Sequence, residues 1–309
     1  MGRRRGGNAM KYALGVTLLC LCVGCNQQQW PAPPAVDQAQ YQKQYATWLD
    51  EQQNTARDAS KIVGIWPLEA GETPFGSDTS LPIVLPATAA PARAGLFTRT
   101  GETVTVTPAP GVRLLSEGKP LTKSSEVREE MTLGSVHLFV IPMGDGRMFL
   151  DASDEEHPVL KDFPKVQTYP VEARFRVAAR FDALDQPKMV KIADVRGGTV
   201  EYPVVGHLTF RIGDQEHRLT AFGFPDYDQF SIFFKDATNS STTYGNRLVH
   251  APKVGKGEWT VLDFNFAGNP PCAYSPFTTC PLPPPENRLA VAIEAGEKQF
   301  PTRKGFVQQ

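Results

Sequence analysis

Val204-Val205-Gly206-His207-Leu208-Thr209-Phe210-Arg211-Ile212-Gly213-Asp214-Gln215-Glu216-His217-Arg218-Leu219-Thr220-Ala221-Phe222 settles the class of this chain. Two runs with apolar residues at every second position flank Gly213-Asp214, a two-residue turn of the kind that joins antiparallel strands. The turn fixes the register: Ile212 opposite Gln215, Arg211 opposite Glu216, Phe210 opposite His217. Arg211 and Glu216 then make an exposed cross-strand ion pair of small value. His217 falls on the face of Leu208, Phe210, Ile212 and Leu219, as a hydrogen-bonded core histidine would, and His207 falls on the other.

Similar runs flank this hairpin. Val171–Phe181, Met189–Val195, Phe230–Asp236, Arg247–His250, Thr260–Phe266 and Leu289–Ile293 read as strands beside Val204–Ile212 and Glu216–Phe222. Such a set suits an antiparallel barrel or a sandwich over residues 169–309. Upstream, Leu96–Thr98, Thr103–Thr107, Val136–Pro142 and Met148–Leu150 alternate with turns such as Pro110-Gly111 and Gly118-Lys119-Pro120, giving a short-strand β subdomain over residues 61–168. Gly64–Leu68 and Gly71–Asp78 read as entry loops. One segment is helical: Tyr41, Tyr45, Trp48 and Leu49 make a single stripe, so residues 41–60 are expected to dock on the body through it. The fold class is therefore all-β with one N-terminal docking helix.

The chain has 309 residues, 27 prolines, 26 glycines and a net charge of −1. That balance offers no electrostatic footprint for nucleic acid. Residues 1–24 read as a signal peptide: Arg3, Arg4, Arg5 and Lys11 precede an apolar run, Tyr12–Val23, too short to span a bilayer. Leu21-Cys22-Val23-Gly24-Cys25 is similar to a bacterial lipobox, with Cys25 as the lipidated residue and residues 25–40 as a flexible tether. Asn26 in place of aspartate points to the outer membrane, periplasmic face. The expected partner is thus the membrane, through the lipid on Cys25. Cleavage leaves Cys272 and Cys280, which an oxidising envelope favours as a disulfide over a metal site or an active thiol.

Those cysteines lie in an unusual segment, Leu262–Asn287, with seven prolines and three asparagines. It cannot be helical and reads as a rigid loop. Alternation puts Leu262, Phe264 and Phe266 on one face and Asp263 with Asn265 on the other. Asp236 ends its strand either at a barrel rim or capping the turn after it.

Together, Asp236-Ala237-Thr238, Thr243-Tyr244-Gly245-Asn246-Arg247, Leu262-Asp263-Phe264-Asn265, Asn269-Pro270-Pro271-Cys272, Thr279-Cys280-Pro281-Leu282-Pro283-Pro284, Glu286-Asn287 and Ala295-Gly296-Glu297-Lys298 resemble the bacterial family called domain of unknown function 1684. The resemblance runs over roughly residues 40–300, with Gly268 where the family commonly carries tyrosine. It implies a map of the site and no activity.

Three functions follow as expectations. The first is a binding module whose barrel mouth, built from Asp236, Tyr244, Arg247, Asp263, Asn265, Asn269 and Asn287, takes a small polar or anionic ligand, with Arg247 as a bidentate grip. In a purely structural variant, the aspartates hold Arg247 instead. The second is a hydrolase working through Asp236, Asp263, Glu286 or Glu297. No nucleophile elbow, zinc helix or phosphate loop accompanies them, and the histidines lie outside the motif. The third is an assembly protein docking a partner on Pro283-Pro284-Pro285. Neither a metal nor a cofactor is expected.

Overall fold

The computed structural model describes residues 1–2, 30–143, 146–195 and 197–301. The expected signal peptide, apart from its first two residues, and Cys25 lie outside the described residues. The body begins with α1 (Gln38–Lys61), capped by Asp37, whose carboxylate accepts the Gln40 N–H at 2.8 Å. Such a cap is worth about 1 kcal/mol.

The strands that follow are β1 (Ile62–Pro67), β2 (Gly71–Gly76), β3 (Ile83–Val84), β4 (Gly95–Thr100), β5 (Thr103–Pro108), β6 (Leu115–Ser116), β7 (Lys119–Pro120), β8 (Ser125–Glu126), β9 (Met131–Leu133), β10 (Val136–Pro142) and β11 (Met148–Asp154). They form two sheets, ordered β1-β11-β10-β9-β6-β7 and β3-β2-β4-β5-β8. One core joins them: Phe75, Phe97, Val104 and Val106 from one sheet meet Leu133, Val136, Leu138 and Leu150 from the other. The two expected entry loops are in fact β1 and β2. Their partners, β11 and β4, lie far along the chain or across a loop, so local periodicity did not reveal them.

The second half contains β12 (Arg176–Ala193), β13 (Thr199–Ile212), β14 (Gln215–Phe222), β15 (Gln229–Phe234), β16 (Arg247–Pro252) and β17 (Trp259–Asp263), in the order β16-β15-β14-β13-β12-β17. The sheet curls until β16 faces β17, where the Thr260 hydroxyl donates to the Pro252 carbonyl at 2.8 Å, giving a nearly closed barrel. The β13–β14 hairpin has the expected register, with Gly213 at φ 58°. Arg211 and Glu216 stand 3.9 Å apart.

Two expected strands are a single one. In β12 the register jumps from Ala183 opposite Gly206 to Lys188 opposite Val204, so Leu184–Pro187 bulge out against Val205 alone. The bulge accommodates Pro187, which cannot donate to a ladder. Leu289–Ile293 is not a strand. It runs beside the end of β15, with the Leu289 N–H on Lys235 O and the Ala237 N–H on Val291 O.

The barrel interior is filled. Phe210 and Phe234 pack on Phe264 at ring-centroid distances of 5.5 and 5.4 Å, and Phe181 lies 4.3 Å from Phe230. Each fully buried ring contributes about 1.5–3 kcal/mol. Leu289, Ile293 and Ala295 complete this core.

Candidate functional site

The unusual loop is built on the end of β17. There the Asp263 carboxylate accepts the Asn265 N–H at 3.1 Å, which ends the ladder and starts a tight turn at Phe264–Phe266. Phe264 therefore enters the barrel core, and Phe266 turns the other way. The expected shared face is broken by that turn. Phe266 is gripped edge-on by Tyr41, Tyr45 and Trp48 of α1, at 5.5–5.7 Å. The helical stripe thus docks on the loop. The helix continues along it: Gln52 lies over Gly268, and the Gln53 side chain accepts the Val166 N–H at 2.9 Å.

Four of the side chains expected to line a barrel mouth are spent inside the fold. Arg247 is wholly buried. Its guanidinium donates to Asp236 Oδ2 at 2.6 Å, to Ile293 O at 2.8 Å and to Ala295 O at 2.5 Å, and lies over the Phe234 ring. The guanidinium expected to grip a ligand is used internally, through one N–H on Asp236 and two backbone carbonyls, with its Nε buried and unpartnered. Burial pulls the Arg247 pKa down, against the pull of Asp236. Asp236 caps its turn, accepting the Thr238 N–H at 2.8 Å and hydroxyl at 2.6 Å.

Asn265 exchanges hydrogen bonds with both the N–H and the carbonyl of Glu172. Asn287 joins β14 to β15: it accepts the Thr220 N–H at 2.6 Å and donates to Thr220 O at 3.0 Å and Phe233 O at 2.8 Å. Asp263 accepts the Tyr41 hydroxyl at 2.9 Å and stands 3.6 Å from Arg176. Burial still raises its pKa, outweighing those partners.

Asn269 belongs to a tighter group. Its N–H donates to Glu297 Oε2 at 2.9 Å, and its side chain donates to Lys298 O at 2.9 Å, leaving Oδ1 buried and unpartnered. The Tyr274 hydroxyl reaches both Glu297 oxygens, at 2.7 and 2.8 Å. Glu297 is fully buried, and among the described residues no cation lies within ion-pair distance of it. Burial lifts its pKa to about 7. Burial and Glu297 together push the Tyr274 phenol well above the usual range.

Above this group lies a cavity of about 340 Å³. Tyr244, Cys272, Tyr274, Ser60, Phe163 and Phe300 are among its lining residues. The Tyr244 hydroxyl donates to Cys272 O at 3.0 Å, and burial raises its pKa. Of the seven expected ligand residues, Tyr244 alone lines this cavity. Tyr274 is one of two aromatic residues between the cysteines, with Phe277, whereas Ser60 and Phe163 come from distant segments with no local signal. Cys272 and Cys280, expected as a disulfide, are free thiols here. A larger hollow of about 680 Å³ lies beside Arg128, Glu129 and Glu130, and no residue of the C-terminal motif lines it.

On the outer barrel face, His207 stands opposite Asp182 on one side and Thr220 on the other. The Thr220 hydroxyl lies 3.4 Å from His207 Nδ1 and donates to Glu286 at 3.3 Å. The fold thus brings one histidine to the motif, which the sequence order concealed. His217 sits against Phe210 as expected, but its Nε2 has no partner.

The family described as Protein of unknown function (DUF1684) matches residues 161–298. The chain belongs to that family. The DUF1684 match covers the barrel and the loop; the resemblance read upstream, from about residue 40, lies outside the matched span. No curated protein matches the chain. A solution structure of an uncharacterized protein from Haloarcula marismortui is similar, at 31% identity over 45% of this chain and 78% of that chain, with a TM-score of 0.39.

Proposed function

We propose that this chain is a lipid-anchored envelope protein that binds a small ligand in the cavity over the proline-rich loop. The supporting observation is convergence: Tyr244 and Cys272 of the family motif, with Tyr274 of the loop between the cysteines, meet α1 and the Phe163 segment around one space of about 340 Å³. That volume lies in the range of small-molecule sites. The ligand matched to it has a flat apolar body, for the rings of Phe163, Tyr274 and Phe300, and a polar edge, for Gln299. Arg247 and Asp236 support the loop from beneath and do not touch the ligand. The anchor is Cys25, which holds the protein at the outer membrane through the tether.

The test is native mass spectrometry of protein extracted from its own envelope, with Gln299→Trp as the cavity-filling variant. A bound small molecule in the wild type, lost in Gln299→Trp at unchanged melting temperature, is expected. An empty wild type, or a ligand retained by the variant, overturns the reading.

A further inference from the structure

The two cysteines differ in a way that a mere staple does not require. Cys272 sits in the turn Pro271–Ala273, half-buried, and forms part of the cavity wall. Cys280 is 2% exposed and closed in behind it. The Cys272 N–H donates to Cys280 Sγ at 3.1 Å, which holds the second cysteine against the first. The loop is held on both sides of the pair, by the Tyr244 hydroxyl on Cys272 O and by the Val195 N–H on Cys280 O. Cys272 is therefore the half-buried member of the pair, at the cavity wall, and Cys280 the buried one.

We propose that Cys272 and Cys280 form a reversible thiol–disulfide couple that reacts with external disulfides, Cys272 exchanging and Cys280 resolving. Small disulfides are the oxidant. The Cys272 thiolate, its proton released to solvent, attacks one sulfur of the disulfide. A Cys272–S–S–R bond forms, and RS⁻ leaves. Cys280 then attacks Cys272 Sγ, its proton passing to the departing RS⁻, so the Cys272–Cys280 bond closes as the Cys272–S–R bond breaks and the second RSH leaves. Two protein thiols are oxidised and one disulfide is reduced to two thiols.

The electrostatics agree with these roles. The hydrogen bond from Cys280 draws the Cys272 pKa down, and the same contact together with burial drives that of Cys280 up. The lower-pKa, reachable sulfur is the one that attacks. The inference does not depend on the cavity holding a resident ligand.

The experiment equilibrates the full chain across a series of reduced-to-oxidised glutathione ratios, quenches with acid, and maps the thiols by mass spectrometry. A midpoint within the range that glutathione can poise is expected, reached from both the oxidised and the reduced side. A pair that stays closed at every ratio is a structural staple, and a pair that stays open at every ratio is inert; either result overturns the proposal. Cys280→Ser should accumulate one glutathione on Cys272, and Cys272→Ser should lose that adduct entirely; the reverse pattern refutes the assigned roles. Brief alkylation of the reduced wild type, which needs no variant to fold, should label Cys272 before Cys280, and labelling of Cys280 first counts against the proposal.

Discussion

Replacing Glu297 by glutamine should stabilise this protein at alkaline pH and leave it nearly unchanged in acid. In the unfolded chain the carboxyl titrates near its ordinary 4.5; in the folded chain it titrates at about 7. Below pH 4.5 both states carry the proton and the group costs nothing. Between 4.5 and 7 only the folded state keeps it, so the unfolded state binds fewer protons and stability falls as pH rises. Above 7 the full cost stands. At 1.36 kcal/mol per pKa unit, the cost is roughly 3 kcal/mol. Glutamine keeps an oxygen for the Asn269 N–H and the Tyr274 hydroxyl. Its amide also brings a donor to a group in which Asn269 Oδ1 has none. For a body of this size, 3 kcal/mol corresponds to roughly 6–12 °C in melting temperature. The assay is urea unfolding of wild type and Glu297→Gln at a series of pH values from 4.5 to 8.5. Their difference should open across that window. Parallel curves, or a variant weaker at every pH, would refute a buried carboxyl that is uncompensated when charged.

Arg247→Met leaves the Asp236 carboxylate buried without its cation and should cost about 3–5 kcal/mol, read by thermal unfolding. Gly268→Ala and Gly296→Ala separate two kinds of crowding. At Gly268 the new Cβ meets only the movable Gln52 amide, at 2.5 Å, and the loss should stay below about 1 kcal/mol. At Gly296, with φ 72°, it meets the Ala267 carbonyl at 2.3 Å, and the loss should exceed roughly 2 kcal/mol by the same assay. Asn287→Ala strands three buried backbone groups and should cost roughly 3 kcal/mol or more. Hydrogen exchange should show the Thr220 amide losing protection first.

The local parts of the fold were legible because local chemistry fixes them. Gly213 set its hairpin, and Tyr41, Tyr45 and Trp48 marked a face that needed a partner. That Phe266 is the partner was not legible, because the turn capped by Asp263 reverses the alternation of its own strand. The same limit applies to β12, where a bulge carries the strand across Pro187. In the site, the motif residues were the right ones to notice, but residue type does not distinguish a side chain offered to a ligand from one that holds a loop. Arg247 would suit either task; its complete burial assigns it to the second. Ser60, Phe163 and His207 reach their neighbours only through tertiary contacts, which no spacing in the sequence encodes.

The clasp of α1 on Phe266 has a mechanical side. Load entering the chain ahead of Pro34 is borne first by the Arg176 guanidinium on the Pro34 carbonyl, then by the Tyr41–Asp263 hydrogen bond, the aromatic grip on Phe266, and Gln53 on Val166. These bonds act one after another, so the helix peels like a zip from its first turn. The last contact in that series is the Ser60 hydroxyl against Tyr274 O, at 3.5 Å, at the cavity wall. Tension entering ahead of the helix therefore reaches the cavity wall only after the whole helix has been unfastened.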